Sequence, residues 1–422
     1  MRFVVVVLLL LATSTVIAEV GKPPGTTLPF PPIPRAMSLG PNPHHLSAEA
    51  CRECHQEIYN QWAGSMHAKS TALKDPIHEA FYRSEVGDPR REGERHNRSG
   101  TYPVCLKCHA PNAARDGKTK LDAMPAYSEG VNCLTCHLIK GYKGVLPDEP
   151  GGRLRLGIDA YEWSDILQSP TGKIFAQIDF PKPPPGSGAA TPSFHPFAME
   201  GNAAMLRSPQ LCLGCHERRN NPHGVPLCNT GEEFRDSNHF NCQQCHMPVN
   251  HGFADHSMGG GHSPEMLRRG VVMTLAINRE EGEIQAEVVL QNTLPHNMPT
   301  GAPFRNLYLQ ITAFDRNGMR LWQNYRHHPL REDPDSLFML TLLDKEGKPS
   351  APPQAVAQGS DTRLAPHERR ILNYTLPATN VAMVRADLYY DLLSLPLKER
   401  FTAVPQELKQ PTLVARSEKL VE

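Results

Sequence analysis

Five times in 422 residues the chain repeats the pattern C-x-x-C-H. The copies are Cys51-Arg-Glu-Cys54-His55, Cys105-Leu-Lys-Cys108-His109, Cys133-Leu-Thr-Cys136-His137, Cys212-Leu-Gly-Cys215-His216 and Cys242-Gln-Gln-Cys245-His246. With 11 Cys and 20 His in the chain, chance supplies roughly 0.01 such motifs. The pattern is the attachment signature of c-type haem. Its two thiols add to the porphyrin vinyl groups, and the adjacent histidine meets the iron from the proximal side. Disulfides or redox pairs do not explain a histidine at the same place in every copy. Zinc takes four ligands from two such units, and five units do not pair off. The expectation is five covalently bound haem c groups. Their thioethers fall on Cys51, Cys54, Cys105, Cys108, Cys133, Cys136, Cys212, Cys215, Cys242 and Cys245. Their proximal iron ligands are His55, His109, His137, His216 and His246. Five porphyrins within residues 47–265 leave few residues per group, so the cofactors themselves must form much of the core there.

Composition narrows the setting. Formal net charge is +0, which gives no support for a nucleic-acid partner. The 40 prolines and 39% hydrophobic residues point to long loops. At the start, Arg2, the apolar run Phe3–Ala12 and Val16-Ile17-Ala18 read as a charged region, a hydrophobic region and a cleavage site, so residues 1–18 are expected to be a signal peptide. Thr13, Ser14 and Thr15 interrupt the run too early for a membrane span. The mature chain is expected in a periplasmic or extracellular space, without a membrane span, where c-type attachment takes place.

Fifteen further histidines compete for the far faces of five irons, so counting alone assigns none of them. Geometry constrains His67. "QEIYNQWAGSMHAKS" carries Ile58, Tyr59, Trp62 and Met66 at helical spacing, and twelve residues of straight helix span about 18 Å. His55 and His67 therefore cannot share one iron on such a helix. His296 lies in "NTLPHNMPTGAPF", where Pro295, Pro299 and Gly301 make a tight loop ahead of a strand. His251, His256 and His262 surround three glycines that let backbone approach a flat macrocycle. His195 lies in the proline-rich insert "FPKPPPGSGAATPSFHPF", read as a surface loop from which it can still turn inward. Met247 is next to His246 and cannot reach the far face. Cys228, the eleventh cysteine, reads as a buried thiol.

These stretches resemble the cytochrome c-554 type of multihaem cytochrome. The resemblance rests on "CRECHQEIYNQWAGSMHAKS", "GVNCLTCHLIKG", "CQQCHMP" and "DHSMGGGHSPEML", and on the "HNMPTG" loop, which is similar to a variant with a β-domain behind the haems. It covers roughly residues 47–315. It implies electron transfer through closely packed, mostly bis-histidine haems. It also implies that His67 binds a later haem, the one on His137, and that His296 and one of His256 or His262 are distal ligands. Five motifs here against four in the name-giving member is a departure from that pattern.

Along the chain, residues 19–46 read as a proline-rich leader and 47–265 as a loop-rich, mainly helical pentahaem domain. From Leu267, period-two alternation in "VVMTLAIN", "IQAEVVLQN", "NLYLQITAF", "RRILNYTL" and "MVRADLYYD" gives strands, and "DRNGMR" holds an Asn-Gly hairpin turn. The reading is α+β, with a β-sandwich-like domain over 266–391 and a weakly structured polar tail over 392–422. The preferred function is electron transport between redox partner proteins, because bis-histidine iron has no open site. The alternative is an oxidoreductase acting on a small nitrogen or sulfur compound at one open iron. No C-x-x-C-K motif points to that second class.

Overall fold

The computed structural model describes residues 39–171, 195–234, 241–250 and 252–422. The expected signal segment, residues 19–38 of the leader, most of the proline-rich insert and His251 lie outside the described residues. All described residues fall in one compact unit, Met37–Glu422.

Before residue 264 regular structure comes in short pieces. The longest described helices there are Gln56–Gly64 and Pro76–Glu85. The second is started by Asp75, whose carboxylate accepts from the Ile77 N–H at 2.9 Å, with Pro76 at the first helical position. Small two-stranded pairs, such as Ile139–Tyr142 with Tyr161–Trp163, link the pieces. Apolar burial is divided among separate clusters. One gathers Tyr82, Leu106 and Leu121. Another joins Trp62 to Ala48 and Ala68, and a third joins Ile139, Tyr161 and Met205. Among the described residues no single core runs through this region; its middle is a cavity of about 2370 Å³.

The helix Pro264–Gly270 then feeds the β-region. Its strands are β1 (Val271–Glu280), β2 (Glu283–Asn292), β3 (Asn306–Phe314), β4 (Arg320–Gln323), β5 (Leu337–Leu343), β6 (Ala357–Asp361), β7 (Arg369–Pro377), β8 (Met383–Asp391) and β9 (Thr412–Leu420). They form an antiparallel sheet β7-β2-β1 and a second one, β6-β5-β3-β8-β9, to which β4 adds on β3. Alternate residues meet between the sheets. Ile284, Val288 and Leu290 of β2 share one buried cluster with Leu307, Leu309 and Ile311 of β3 and Val384, Ala386 and Leu388 of β8. The turn between β1 and β2 places Glu281 and Gly282 at φ 38° and 91°, the positive pair a two-residue hairpin requires. Asn317-Gly318 makes the expected turn ahead of β4, with Gly318 at φ 78°.

One expectation is corrected. Residues 392–422, read as a weakly structured tail, contain the helix Leu395–Arg400 and strand β9. An edge strand needs only one half-covered face, so a polar sequence can carry it. Val414 turns inward, and Arg416 Nε donates to Asp387 of β8 at 2.6 Å. Leu397 and Phe401 also pack against Ile77 of the helix Pro76–Glu85. Asn221 adds a second tie, donating to the Pro352 and Ala355 carbonyls at 2.9 and 2.7 Å. The β-region is thereby tied to the helical region well beyond the chain connection.

Candidate haem-binding site

Each C-x-x-C-H copy lies on or beside one helical turn, because residues i, i+3 and i+4 share a face there. Two copies are started by asparagine. Asn132 accepts from Thr135 N–H at 3.1 Å, and Asn241 forms a reciprocal capping box with Gln244. All ten motif cysteines and all five motif histidines line the cavity. Its volume exceeds the roughly 300–1,000 Å³ of a pocket for one small ligand, so several groups fit. Burial pushes the Cys136 thiol up to about 11 and Cys105 to about 12.

Other histidines face the motif histidines across this space. Ring centroids are 6.3 Å apart for His55 and His195, 6.1 Å for His67 and His216, and 6.5 Å for His246 and His296. Metal–imidazole bonds of about 2 Å on each side put two trans rings roughly 6 Å apart, so an iron fits between each pair. His256 is half-buried near His137, which helps to lower it to about 4 after desolvation.

The outer nitrogens are held as a metal-binding histidine requires. Nδ1 lies within hydrogen-bond distance of a backbone carbonyl in His137 (Gln168, 2.9 Å), His195 (Phe197, 2.9 Å), His246 (Gly259, 2.6 Å), His256 (Ala254, 2.7 Å) and His296 (Asn297, 3.0 Å). That directs Nε2 into the cavity. Burial lowers His67 to about 4 and His216 to about 3, so both are neutral at pH 7 and keep a lone pair for metal.

His67 does not ride on a continuous helix. The helix ends at Gly64, and Ser65 is extended. The His67 carbonyl then accepts from Val131 N–H at 2.9 Å. Gly130 is required beside it: its φ is +70°, and a Cβ there would lie 2.3 Å from the His67 carbonyl. Trp62 Nε1 donates to the Val131 carbonyl at 2.8 Å and locks the same corner. The straight-helix span expected to part His67 from His55 is therefore absent, and the ring His67 faces is His216. The resemblance implied His137, whose neighbour is His256.

The His109 centre differs. His78 lies against His109 with centroids 4.2 Å apart, too close for a metal between them. Both Nδ1 atoms point at the Ser70 carbonyl, at 2.7 and 3.1 Å, so their Nε2 atoms cannot face each other. His78 Nε2 is buried without a hydrogen-bond partner. The remaining candidate, His262, lines the same cavity and is lowered to about 4 by burial; the Asp75 carboxylate acts on both His262 and His109. Sequence reasoning did not single out His78, because nothing in "DPIHEAFYRSE" separates it from a surface histidine.

The motifs are packed against one another. Cysteines of different motifs lie beside one another: Cys51 beside Cys133, Cys108 beside Cys215 and Cys212 beside Cys242. Tyr161 braces the fourth motif, taking the Gly214 N–H at 2.9 Å and donating to the Leu211 carbonyl at 2.7 Å. A Cβ on Gly214 would lie 2.3 Å from the Tyr161 ring. Arg219 is half-buried beside the second and fourth motifs, its Nε donating to the Cys215 carbonyl at 3.0 Å.

The family model described as "Cytochrome c554 and c-prime" matches residues 50–138. A crystal structure of a penta-heme cytochrome c552 from Thermochromatium tepidum is 52% identical, with a TM-score of 0.82 over 90% of this chain and 99% of that one. The chain is a multihaem c-type cytochrome. Its cofactor is covalently bound haem c, its role is electron transfer, and that role implies redox partners. No helix among the cytochrome's described residues is long and apolar enough to cross a membrane. A Shewanella protein (14% identity, TM-score 0.15, 28% of this chain and 75% of that) and a CARDB domain from Pyrococcus furiosus (11%, 0.16, 36% and 93%) superpose too poorly to inform the β-region. No curated protein matches the chain.

Proposed function

We propose that this cytochrome is an exported, periplasmic pentahaem carrier whose five irons are each held by two histidines. The ten motif cysteines make the thioethers, and His55, His109, His137, His216 and His246 are the proximal ligands. The distal partners are His195 for His55, His256 for His137, His67 for His216, His296 for His246 and His262 for His109. The single observation that carries this reading is the facing of imidazoles at 6.1–6.5 Å across three of the five motifs. Haem iron, when bound, supplies one-electron exchange between its ferric and ferrous states. The chain's own part is to fix the imidazoles and exclude water. The Nδ1–carbonyl contacts hold the rings through both oxidation states, which keeps reorganisation small. The closeness of cysteines from different motifs supports a connected order: first motif to third, second to fourth, fourth to fifth. The Tyr161 hydroxyl, near Cys136 as well as Cys212 and Cys215, links the third to the fourth.

A pyridine haemochrome assay with intact mass tests the count: five haems per mature chain support the reading, and four or fewer overturn it. A second reading, a reductase or oxidase for a small nitrogen or sulfur compound, is favoured by one observation only. The ring packed on His109 is His78, in a geometry that leaves it unable to be the trans ligand. Carbon monoxide, nitrite or hydroxylamine binding to about one iron in five would support that reading; absence of binding supports the carrier.

A further inference from the structure

Outside the haem cavity one cluster of metal-type donors is used by nothing described so far. His44 and His45 sit side by side on the short 3-10 turn Pro43–His45, with ring centroids 4.5 Å apart. Asp116, 72 positions beyond His44, follows the helix Pro111–Arg115. Its two carboxylate oxygens face the two Nε2 atoms at 2.7 and 2.6 Å. The three donor groups lie within 4.8 Å of one another. We propose that His44, His45 and Asp116 form a mononuclear site for a zinc-class divalent transition metal, separate from the haems.

The donor set selects the class. Two imidazoles with one carboxylate suit Zn²⁺, Co²⁺, Ni²⁺ or Cu²⁺, whereas Ca²⁺ and Mg²⁺ want oxygen alone. Zn–N and Zn–O bonds of about 2.0–2.2 Å in a tetrahedron separate donors by roughly 3.3 Å. The present contacts need open by only about 0.6 Å for a metal to replace the two bridging protons. Tyr127 donates its hydroxyl to Asp116, the outer partner a metal-binding carboxylate commonly has. His45 is about one-third exposed, so water has access and a fourth position can stay open. Arg115, the nearby cation, is stacked on Trp163 at 4.4 Å. Burial lowers the His44 pKa, which favours the neutral form that binds metal. The competing view is that the cluster is a hydrogen-bonded His–Asp–His knot with no metal.

The test uses the holo-cytochrome, stripped with chelator and titrated with ZnSO₄ by calorimetry, with thermal melting in parallel. One equivalent should bind more tightly than any background, and zinc should raise the melting temperature. His45→Gln and Asp116→Asn should each weaken that equivalent at least tenfold and abolish the shift, while Tyr127→Phe, which leaves all three donors in place, should weaken it less. An unchanged haem spectrum certifies each variant's fold, and His45→Gln, at the one-third exposed position, stands alone if Asp116→Asn fails to fold. Equal zinc binding by wild type and His45→Gln, or no tight equivalent in the wild type, overturns the proposal.

Discussion

At the residue scale the fold of the site is a matter of which nitrogen each histidine keeps inside. A backbone carbonyl takes Nδ1, and Nε2 is left for metal; five of the described cavity histidines outside the His109 centre share that arrangement. His67 is held differently, with Nδ1 2.7 Å from Met258 Sδ. His67→Ala should make the iron on His216 high-spin and leave the one on His55 six-coordinate, read by electron paramagnetic resonance; loss at His55 instead would contradict the pairing. Asn132 ties three segments: it caps the third motif and donates to the Glu129 carboxylate at 2.9 Å, and it accepts from Asn112 at 3.0 Å. Asn132→Ala leaves buried polar partners unmatched and should cost about 1–3 kcal/mol in denaturant melts. Glu332 accepts from the backbone N–H groups of Arg326, His327 and His328, which pull its carboxyl down to about 2. A depressed acid stabilises above its unfolded value of 4.5 and loses that contribution as pH falls towards 2. The melting temperatures of wild type and Glu332→Gln should therefore differ at pH 7 and converge at pH 2.

At the element scale, the motif turns and the β-strands were legible for different reasons. C-x-x-C-H is a covalent chemistry written at fixed spacing, so all fifteen of its residues could be named from the sequence. The strands announce themselves by alternation, as Ile284, Ala286, Val288 and Leu290 do along β2. The distal histidines carry no such mark. His195 and His256 reach their places through loops whose course depends on long-range packing, and His67 depends on where a helix stops. Strand β9 was hidden because only one of its faces is covered, so its composition reads as a tail. Removing residues 411–422 should expose the β8 edge and Leu388, and lower the melting temperature by several degrees; an unchanged melt would show β9 to be dispensable. In the sheet core, Leu309→Ala should cost about 2–5 kcal/mol in a denaturant melt, since the site is fully buried between two sheets.

At the scale of the whole molecule, the two regions are built on different interiors. The β-region has a continuous apolar core, whereas the helical region has small clusters around a cavity whose filling is cofactor. Chain expressed without haem attachment should keep its strand signal in circular dichroism and lose most of its helix signal. The central claim is that the cavity orders paired imidazoles for electron transfer and leaves no iron open. Low-temperature electron paramagnetic resonance of the fully oxidised cytochrome, with spins integrated against the haem count, tests this most directly. The expected spectrum is low-spin ferric iron for all five haems, unchanged by added nitrite or hydroxylamine. A high-spin signal integrating to about one iron in five, shifted by either ligand, would contradict it.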